Sequence, residues 1–330
     1  MTLLSIVVPT HNETTNVGLL HGRIAAVFQG LPDYDFELIF SDDSTDQTPQ
    51  VIARLHEADP RVKLIRMSRR FGQSIAITAG LDYASGDAVI MMDADLQDPP
   101  EVIPQLLAAW KDGNEIVYVQ RASASTYRLY KFFSYGYYRM LRKIASVEIP
   151  VDAGEFRLLD RKVVEYLKRL TEHTRYLRGL TVLPGFRQKG IPIQRAGRLH
   201  GETNYNFKRS AMVAIDGILS FSTVPLRLAT LAGAALTVAG FLLGAVFLLW
   251  KLNRPEFSLG IAGLFVAMFF FSGFQLLILG VFGEYLAKIF VEVQNRPAYW
   301  IDYQLGFEGQ RPPADRTALR PEPPHTNIVK

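Results

Sequence analysis

Asp93 and Asp95 stand two residues apart directly after a short apolar run, Ala88 to Met92. At the end of a strand this spacing turns both carboxylates to one side, where they can share a divalent cation. Hard oxygen ligands suit Mg2+ or Mn2+, which bind through one or two carboxylates and complete their shell with substrate phosphates rather than in an all-protein cage. A nucleoside diphosphate would fill that shell, and if it is a leaving group the cation neutralises the charge that develops on its oxygen. A bare Asp-x-Asp also occurs as a solvated loop or a helix cap, so its context must decide. A second constellation is basic: Arg121 to Val147 holds six Lys or Arg and no acid, a pattern that favours anionic partners such as nucleic acid or membrane phosphate. The chain has no cysteine, which excludes disulfides, thiolate catalysis and zinc-cysteine sites and fits a reducing compartment.

These groups need a scaffold, and the first 225 of the 330 residues read as one. Leu3 to Val8 is a short β-rich run ending at Pro9, followed by a polar stretch, His11 to Asn16, and a helical pattern over Val17 to Phe28. The unit recurs as Phe36 to Phe40 with Pro49 to Glu57, then as Val62 to Met67 with Phe71 to Tyr83. Ala88 to Met92 opens onto Asp93-Ala94-Asp95, Pro99 and Pro100 start a helix toward Trp110, and Asn114 to Val119 forms a fifth strand. Such alternation predicts an α/β fold, a largely parallel sheet with helices on both faces, whose ligands bind beyond the carboxyl ends of the strands. The acidic clusters lie there.

Two uncharged apolar runs, Leu228 to Trp250 and Phe257 to Phe282, are separated only by Lys251 to Glu256. At 1.5 Å rise per residue each can cross a roughly 30 Å hydrocarbon layer, which predicts a transmembrane hairpin rather than a pair of buried core helices. Lys208, Arg209 and Arg227 before the first run, with Lys288 and Arg296 after the second, place both ends on the cytoplasmic side of a bacterial-type plasma membrane. Met1 to Pro9 lacks a secretory signal, which agrees. Tyr127 to Ile144 reads as an interfacial helix, with an ordinary amphipathic helix on the sheet as the alternative. The expected layout is a catalytic domain over 1–205, an amphipathic segment over 206–227, the hairpin over 228–283, a cytoplasmic juxtamembrane segment over 284–305 and a disordered tail over 306–330.

Seven motifs together resemble the family 2 glycosyltransferases of the polyisoprenyl-phosphate type, which include bactoprenol glucosyltransferases and dolichol-phosphate mannose synthase. They are Val7-Val8-Pro9-Thr10-His11-Asn12-Glu13, Asp42-Asp43-Ser44-Thr45-Asp46, Arg69-Arg70-Phe71-Gly72-Gln73, Asp93-Ala94-Asp95-Leu96-Gln97-Asp98-Pro99-Pro100, Gly154-Glu155-Phe156-Arg157-Leu158, Gly201-Glu202-Thr203-Asn204-Tyr205 and Gly283-Glu284-Tyr285-Leu286. The resemblance implies a GT-A nucleotide-sugar-binding domain in which Pro9, Thr10, His11, Glu13 and Asp43 border the base and ribose. Asp93 and Asp95 would hold metal and diphosphate, and Arg121, Arg128, Lys131 and Ser134 the acceptor phosphate. The chain also departs from the pattern. His11 stands where the family usually has Tyr, and Arg70 and Gln73 where it has Asn and Lys. Asn204 replaces a Lys, which moves a phosphate-contacting charge to Arg70 or Lys208. Glu155 stands where close relatives place an Asp proposed as the base.

The implied reaction is inverting transfer of a sugar from a nucleotide sugar, UDP-glucose by preference, to a polyprenyl phosphate such as undecaprenyl phosphate, with GDP-mannose or a UDP-amino-sugar as alternative donors. A lipid monophosphate has a second pKa near 6 and reaches the site already largely dianionic, so it needs alignment by cations more than deprotonation. Glu155 therefore reads as orienting the acceptor or the metal shell, with general base as the lesser role. A processive polysaccharide synthase is disfavoured because two spans make no channel and Gln-x-x-Arg-Trp is lacking. A non-catalytic membrane scaffold is disfavoured by intact Asp43, Asp93 and Asp95. No nucleic-acid module accompanies the basic stretch, and assembly through the hairpins into a homo-oligomer is an open expectation.

Overall fold

The structure is a computed structural model and describes residues 1–121, 153–173, 175–193, 223–253, 261–307 and 317–319. The chain divides into two compact units, one of which holds the sheet and the other the two long apolar helices.

The first unit begins with three strand–helix repeats: β1 (Thr2–Thr10), α1 (Asn16–Gln29), β2 (Tyr34–Asp42), α2 (Thr48–Ala58), β3 (Val62–Met67) and α3 (Gln73–Tyr83). There follow β4 (Ala88–Met91), a 3-10 turn at Pro100–Val102, α4 (Ile103–Lys111), β5 (Ile116–Arg121), β6 (Ala153–Asp160), α5 (Arg161–Arg169), α6 (Leu177–Leu180) and β7 (Gln188–Ile193). The last strands, β8 (Tyr299–Leu305) and β9 (Thr317–Leu319), come after the apolar helices. Among the described residues they form one sheet in the order β7-β5-β6-β4-β1-β2-β3-β8-β9.

β1 is parallel to both β2 and β4, and β2 to β3. The strand order therefore reverses between β1 and β4, the place where α/β sheets open a crevice for ligands. β1 is buried on both faces, as a central strand covered by helices must be. Leu4, Ile6 and Val8 pack in one core with Leu20 and Ile24 of α1 and Ile103 and Leu106 of α4. On the other face Gly80 of α3 lies so close that a Cβ there would meet Val7 Cγ1 at 2.3 Å. Gly86 is needed for the same reason, because a Cβ would fall 2.6 Å from the Ser5 backbone nitrogen.

β6 runs antiparallel to both β4 and β5. Two reversals restore β5 to the direction of β4, so Arg121 at the end of β5 and Glu155 near the start of β6 reach the same rim as Asp93.

The segment after the apolar helices differs from expectation. Residues 299–305 are not a juxtamembrane stretch but β8, antiparallel to β3, and Thr317–Leu319 of the expected disordered tail pairs with β8 as β9. The physical reason is a period of two: Tyr299 and Ile301 are fully buried while Trp300 and Asp302 face out. The unit that holds the sheet accordingly does not end at residue 205 but takes its edge from beyond the helices.

The second unit contains α7 (Val224–Asn253) and α8 (Ile261–Val293), each longer than the apolar run that predicts it. Their apolar windows are 0% buried, which removes the reading as core helices and leaves two candidate membrane spans. The expected interfacial helix at 127–144 and amphipathic segment at 206–222 lie outside the described residues.

Candidate active site

Three loops meet where β1, β2 and β4 end. The first, after Thr10, carries His11, Asn12 and Glu13, with Asn12 at φ 61 turning the chain sharply. The second, after Asp42, is stitched to it. Asn12 N donates to Ser44 Oγ at 2.8 Å, Thr45 N to Asn12 Oδ1 at 2.9 Å and Glu13 N to Thr48 Oγ1 at 2.9 Å.

The two adjacent aspartates divide the work. Asp42 is fully buried, accepts from Thr10 Oγ1 at 2.9 Å and pairs with Arg66 of β3, whose other nitrogen reaches the Ser44 carbonyl at 2.6 Å. It is the internal brace. Asp43 Oδ1 binds His11 Nδ1 at 2.7 Å, and its Oδ2 accepts from Phe71 N at 3.2 Å and Gly72 N at 3.3 Å. Asp43 thus fixes the His11 ring and the turn that starts α3, where Gly72 sits at φ 92. Pro9 and Thr10 close the last turn of β1 beside them, and Arg70 is exposed on the same 68–72 loop.

The third loop holds the carboxylate pair. Gln73 Nε2 donates to Asp93 Oδ1 at 2.6 Å, so the residue at the family's Lys position is tied to the first aspartate. Asp95 Oδ1 accepts from Gln97 N at 3.0 Å across Leu96, which adopts φ 56. Asp95 pairs with no cation among the described residues, and its charge is felt by Glu13. Burial pushes the Glu13 carboxyl above its usual range, the Asn16 amide at 2.6 Å opposes this, and the charges of Asp95 and Asp46 push it up further.

β6 brings Glu155 to this rim. Met91 pairs with Arg157 at the end of β4, and Glu155 and Asp93 each lie two residues beyond that pair on the same side of the sheet's end. Glu155 Oε1 accepts from Arg178 Nε at 2.6 Å. Pro9, Thr10, His11, Glu13, Asp43, Asp93, Asp95 and Glu155 are therefore gathered at one rim. Arg121 ends β5 opposite Ile193 at that rim by its backbone. Arg128, Lys131, Ser134 and the Gly201 to Tyr205 motif lie outside the described residues. Sequence reading did not single out Arg66 or Arg178, and it quoted Arg157 within the Gly154 to Leu158 motif without giving it a role.

Residues 5–167 match the Glycosyl transferase family 2 profile. The bactoprenol glucosyl transferase of Shigella phage SfII is 38% identical over 90% of this chain and 97% of its own length. The chain is a family 2 glycosyltransferase. An uncharacterized glycosyltransferase of Bacillus subtilis (strain 168) is 41% identical to this glycosyltransferase over 93% of its chain and 95% of the relative's. Among solved structures, a mannosyltransferase of Pyrobaculum calidifontis in complex with GDP-Man and Mn2+ aligns over 88% of the chain and 86% of its own at 18% identity and a TM-score of 0.44, too distant to bear on activity or metal.

No cluster of three metal-ligating side chains occurs among the described residues of the glycosyltransferase. A pair of carboxylates with hard oxygens fits a cation that takes its remaining ligands from a substrate.

Proposed function

We propose that this glycosyltransferase moves a sugar, with inversion, from a nucleotide sugar to the phosphate of a polyprenyl lipid. The observation that carries the reading is the meeting, at one sheet rim, of the Asp93–Asp95 pair and Glu155, in a chain that also bears two candidate membrane spans. The bactoprenol acceptor in the names of full-length relatives supports it.

Asp93 and Asp95 would hold Mg2+ or Mn2+, which supplies neutralisation of charge on the diphosphate leaving group. The chain's own residues do the rest. His11, fixed by Asp43, offers a flat face to the base, and Pro9, Thr10 and Glu13 border the nucleoside, with Arg70 free to reach its phosphates. Arg121, with Arg128, Lys131 and Ser134, captures the acceptor phosphate and overcomes its repulsion from the donor. One acceptor phosphate oxygen then forms the bond to the anomeric carbon as the carbon–oxygen bond to the diphosphate breaks, and the electron pair leaves with the nucleoside diphosphate. Glu155 orients the acceptor. The two spans keep the reaction at headgroup depth, with the catalytic unit and both termini on the cytoplasmic face, and copies of the chain can assemble through them.

Full-length protein in detergent, given labelled UDP-glucose, undecaprenyl phosphate and Mn2+, should yield a label that partitions into organic solvent. Parallel reactions with GDP-mannose and UDP-amino-sugars identify the donor. No lipid product with any donor would overturn the reading. Glu155→Asp, which shortens the side chain but keeps its charge, should retain turnover within roughly ten-fold, measured in the same assay.

A further inference from the structure

Glu155 is held by a closed ring of contacts that reaches well beyond its own strand. Its carboxylate takes a hydrogen bond from Arg178 Nε at 2.6 Å. The Arg178 carbonyl accepts from Thr181 Oγ1 at 3.3 Å, and Thr181 Oγ1 accepts from Arg157 Nη1 at 2.8 Å. Arg157 Nη2 closes the ring on the carbonyl of Gly154, the residue before Glu155, at 3.0 Å. The guanidinium of Arg175 ties the chain ahead of α6 by donating to the carbonyls of Leu167, Leu170 and Glu172. Backbone and side chain of Glu155 are thus fixed from two directions.

The charges in the ring are unbalanced. Arg157 is only 3% exposed, and its Nε has no hydrogen-bond partner. Burial works against its charge, the Glu155 carboxylate favours it, and Arg178 opposes it. Arg157 has no carboxylate within ion-pair distance among the described residues. A buried guanidinium without a direct counter-ion is costly, and a neutral side chain could make the same two bonds to Gly154 and Thr181 if pinning were its only role.

What the arrangement does follows from where Glu155 stands. β4 and β6 pair as far as Met91 and Arg157, and Asp93 and Glu155 each lie two residues beyond that pair at the same rim, so an unrestrained Glu155 could swing into the cation shell of the aspartate pair. The pull of Arg178 on its carboxylate, reinforced by the buried charge behind it, opposes that swing.

We propose that Arg178, locked by Arg157 and Thr181, is a positioning residue that holds the Glu155 carboxylate out of the metal shell and toward the acceptor phosphate. This rests on the acceptor-orienting role of Glu155 proposed above.

The test is a double-mutant cycle on full-length protein, assayed for lipid-linked product at saturating donor and Mn2+. Arg178→Gln should lower kcat by about 10- to 100-fold, the usual effect of removing the partner that orients a functional side chain. Arg178→Lys should recover part of the loss, and both variants should still show a thermal shift with Mn2+ and UDP, which shows that they are folded and bind nucleotide, with the Mn2+ dependence of that shift altered in Arg178→Gln as Glu155 enters the cation shell. The deciding measurement is the double variant E155Q/R178Q, which should be no slower than E155Q alone because Arg178 acts through Glu155. Losses that multiply in the double variant, or an E155Q protein as active as wild type, would overturn the inference while the transferase reading stands. A wild-type protein that makes no lipid product would overturn both.

Discussion

Asp95→Ala should reduce lipid-linked product by at least 10²- to 10³-fold, roughly the effect of deleting one well-placed group that stabilises transition-state charge. Asp95 is half-buried and makes one local bond, to Gln97 N at 3.0 Å, so its loss should cost only about 1 kcal/mol of stability. Activity and folding should therefore separate. Without nucleotide, the variant should unfold within a few degrees of wild type, while the Mn2+-dependent shift produced by UDP should vanish. Excess Mn2+ should not restore turnover, because Asp93 would then be the single carboxylate left of the pair to hold the cation against the diphosphate. The substitution also removes a charge that helps to push the Glu13 carboxyl up, so Glu13 should titrate closer to its ordinary range in Asp95→Ala, as read by carboxyl-resolved NMR. An Asp95→Ala protein that turns over at the wild-type rate with Mn2+ present would remove the metal from the mechanism.

The strands that position this site were legible because each is a short apolar run cut by a polar or Pro-containing loop. Val62 to Met67 is read to the residue, and β1, β2 and β4 differ only by a residue or two at their ends. Alternation with helices then dictates parallel pairing, and parallel pairing dictates that His11, Asp43 and Asp93 share a rim. β6 was less legible. Its Phe156 to Leu159 stretch looks like any buried run, and nothing local says that it enters antiparallel between β4 and β5. β8 was hidden by position, since a segment directly after an apolar helix is read as its flank even though its alternation is clear. Within the candidate site, residue type and spacing reach the groups proposed to meet substrate. They do not reach the braces. Arg66 finds Asp42 and Arg178 finds Glu155 across 24 and 23 residues, distances over which only the folded sheet decides who meets whom. Gln73 illustrates the same limit: its departure from the family's Lys was visible, but its bond to Asp93 needs the start of α3 and the end of β4 to be neighbours.

Tyr299→Ala should be the most damaging single substitution in the segment that follows the second apolar helix. Tyr299 is fully buried, and its hydroxyl donates to Asp82 Oδ2 at 3.0 Å, pinning the first residue of β8 to α3. Truncating a buried aromatic ring to Ala costs about 3–5 kcal/mol, and the lost bond to a carboxylate adds to that. For a unit of this size, thermal unfolding in detergent should fall by about 6–20 °C. Trp300, one residue on, points outward and is 39% exposed, so Trp300→Ala should cost about 1 kcal/mol or less. The pair isolates burial from mere nearness in sequence to the second apolar helix. The consequence should reach the site as well. β8 lies against β3, with Tyr303 opposite Arg66, and Arg66 braces the Asp42 beneath the loops that carry His11 and Asp43. A loosened β8 should therefore raise the KM for the nucleotide sugar in Tyr299→Ala while leaving the KM for the lipid acceptor near wild type. If Tyr299→Ala were as mild as Trp300→Ala in both stability and donor KM, residues 299–305 would not be a strand of the catalytic sheet in solution, and the site would owe nothing to the chain beyond the apolar helices.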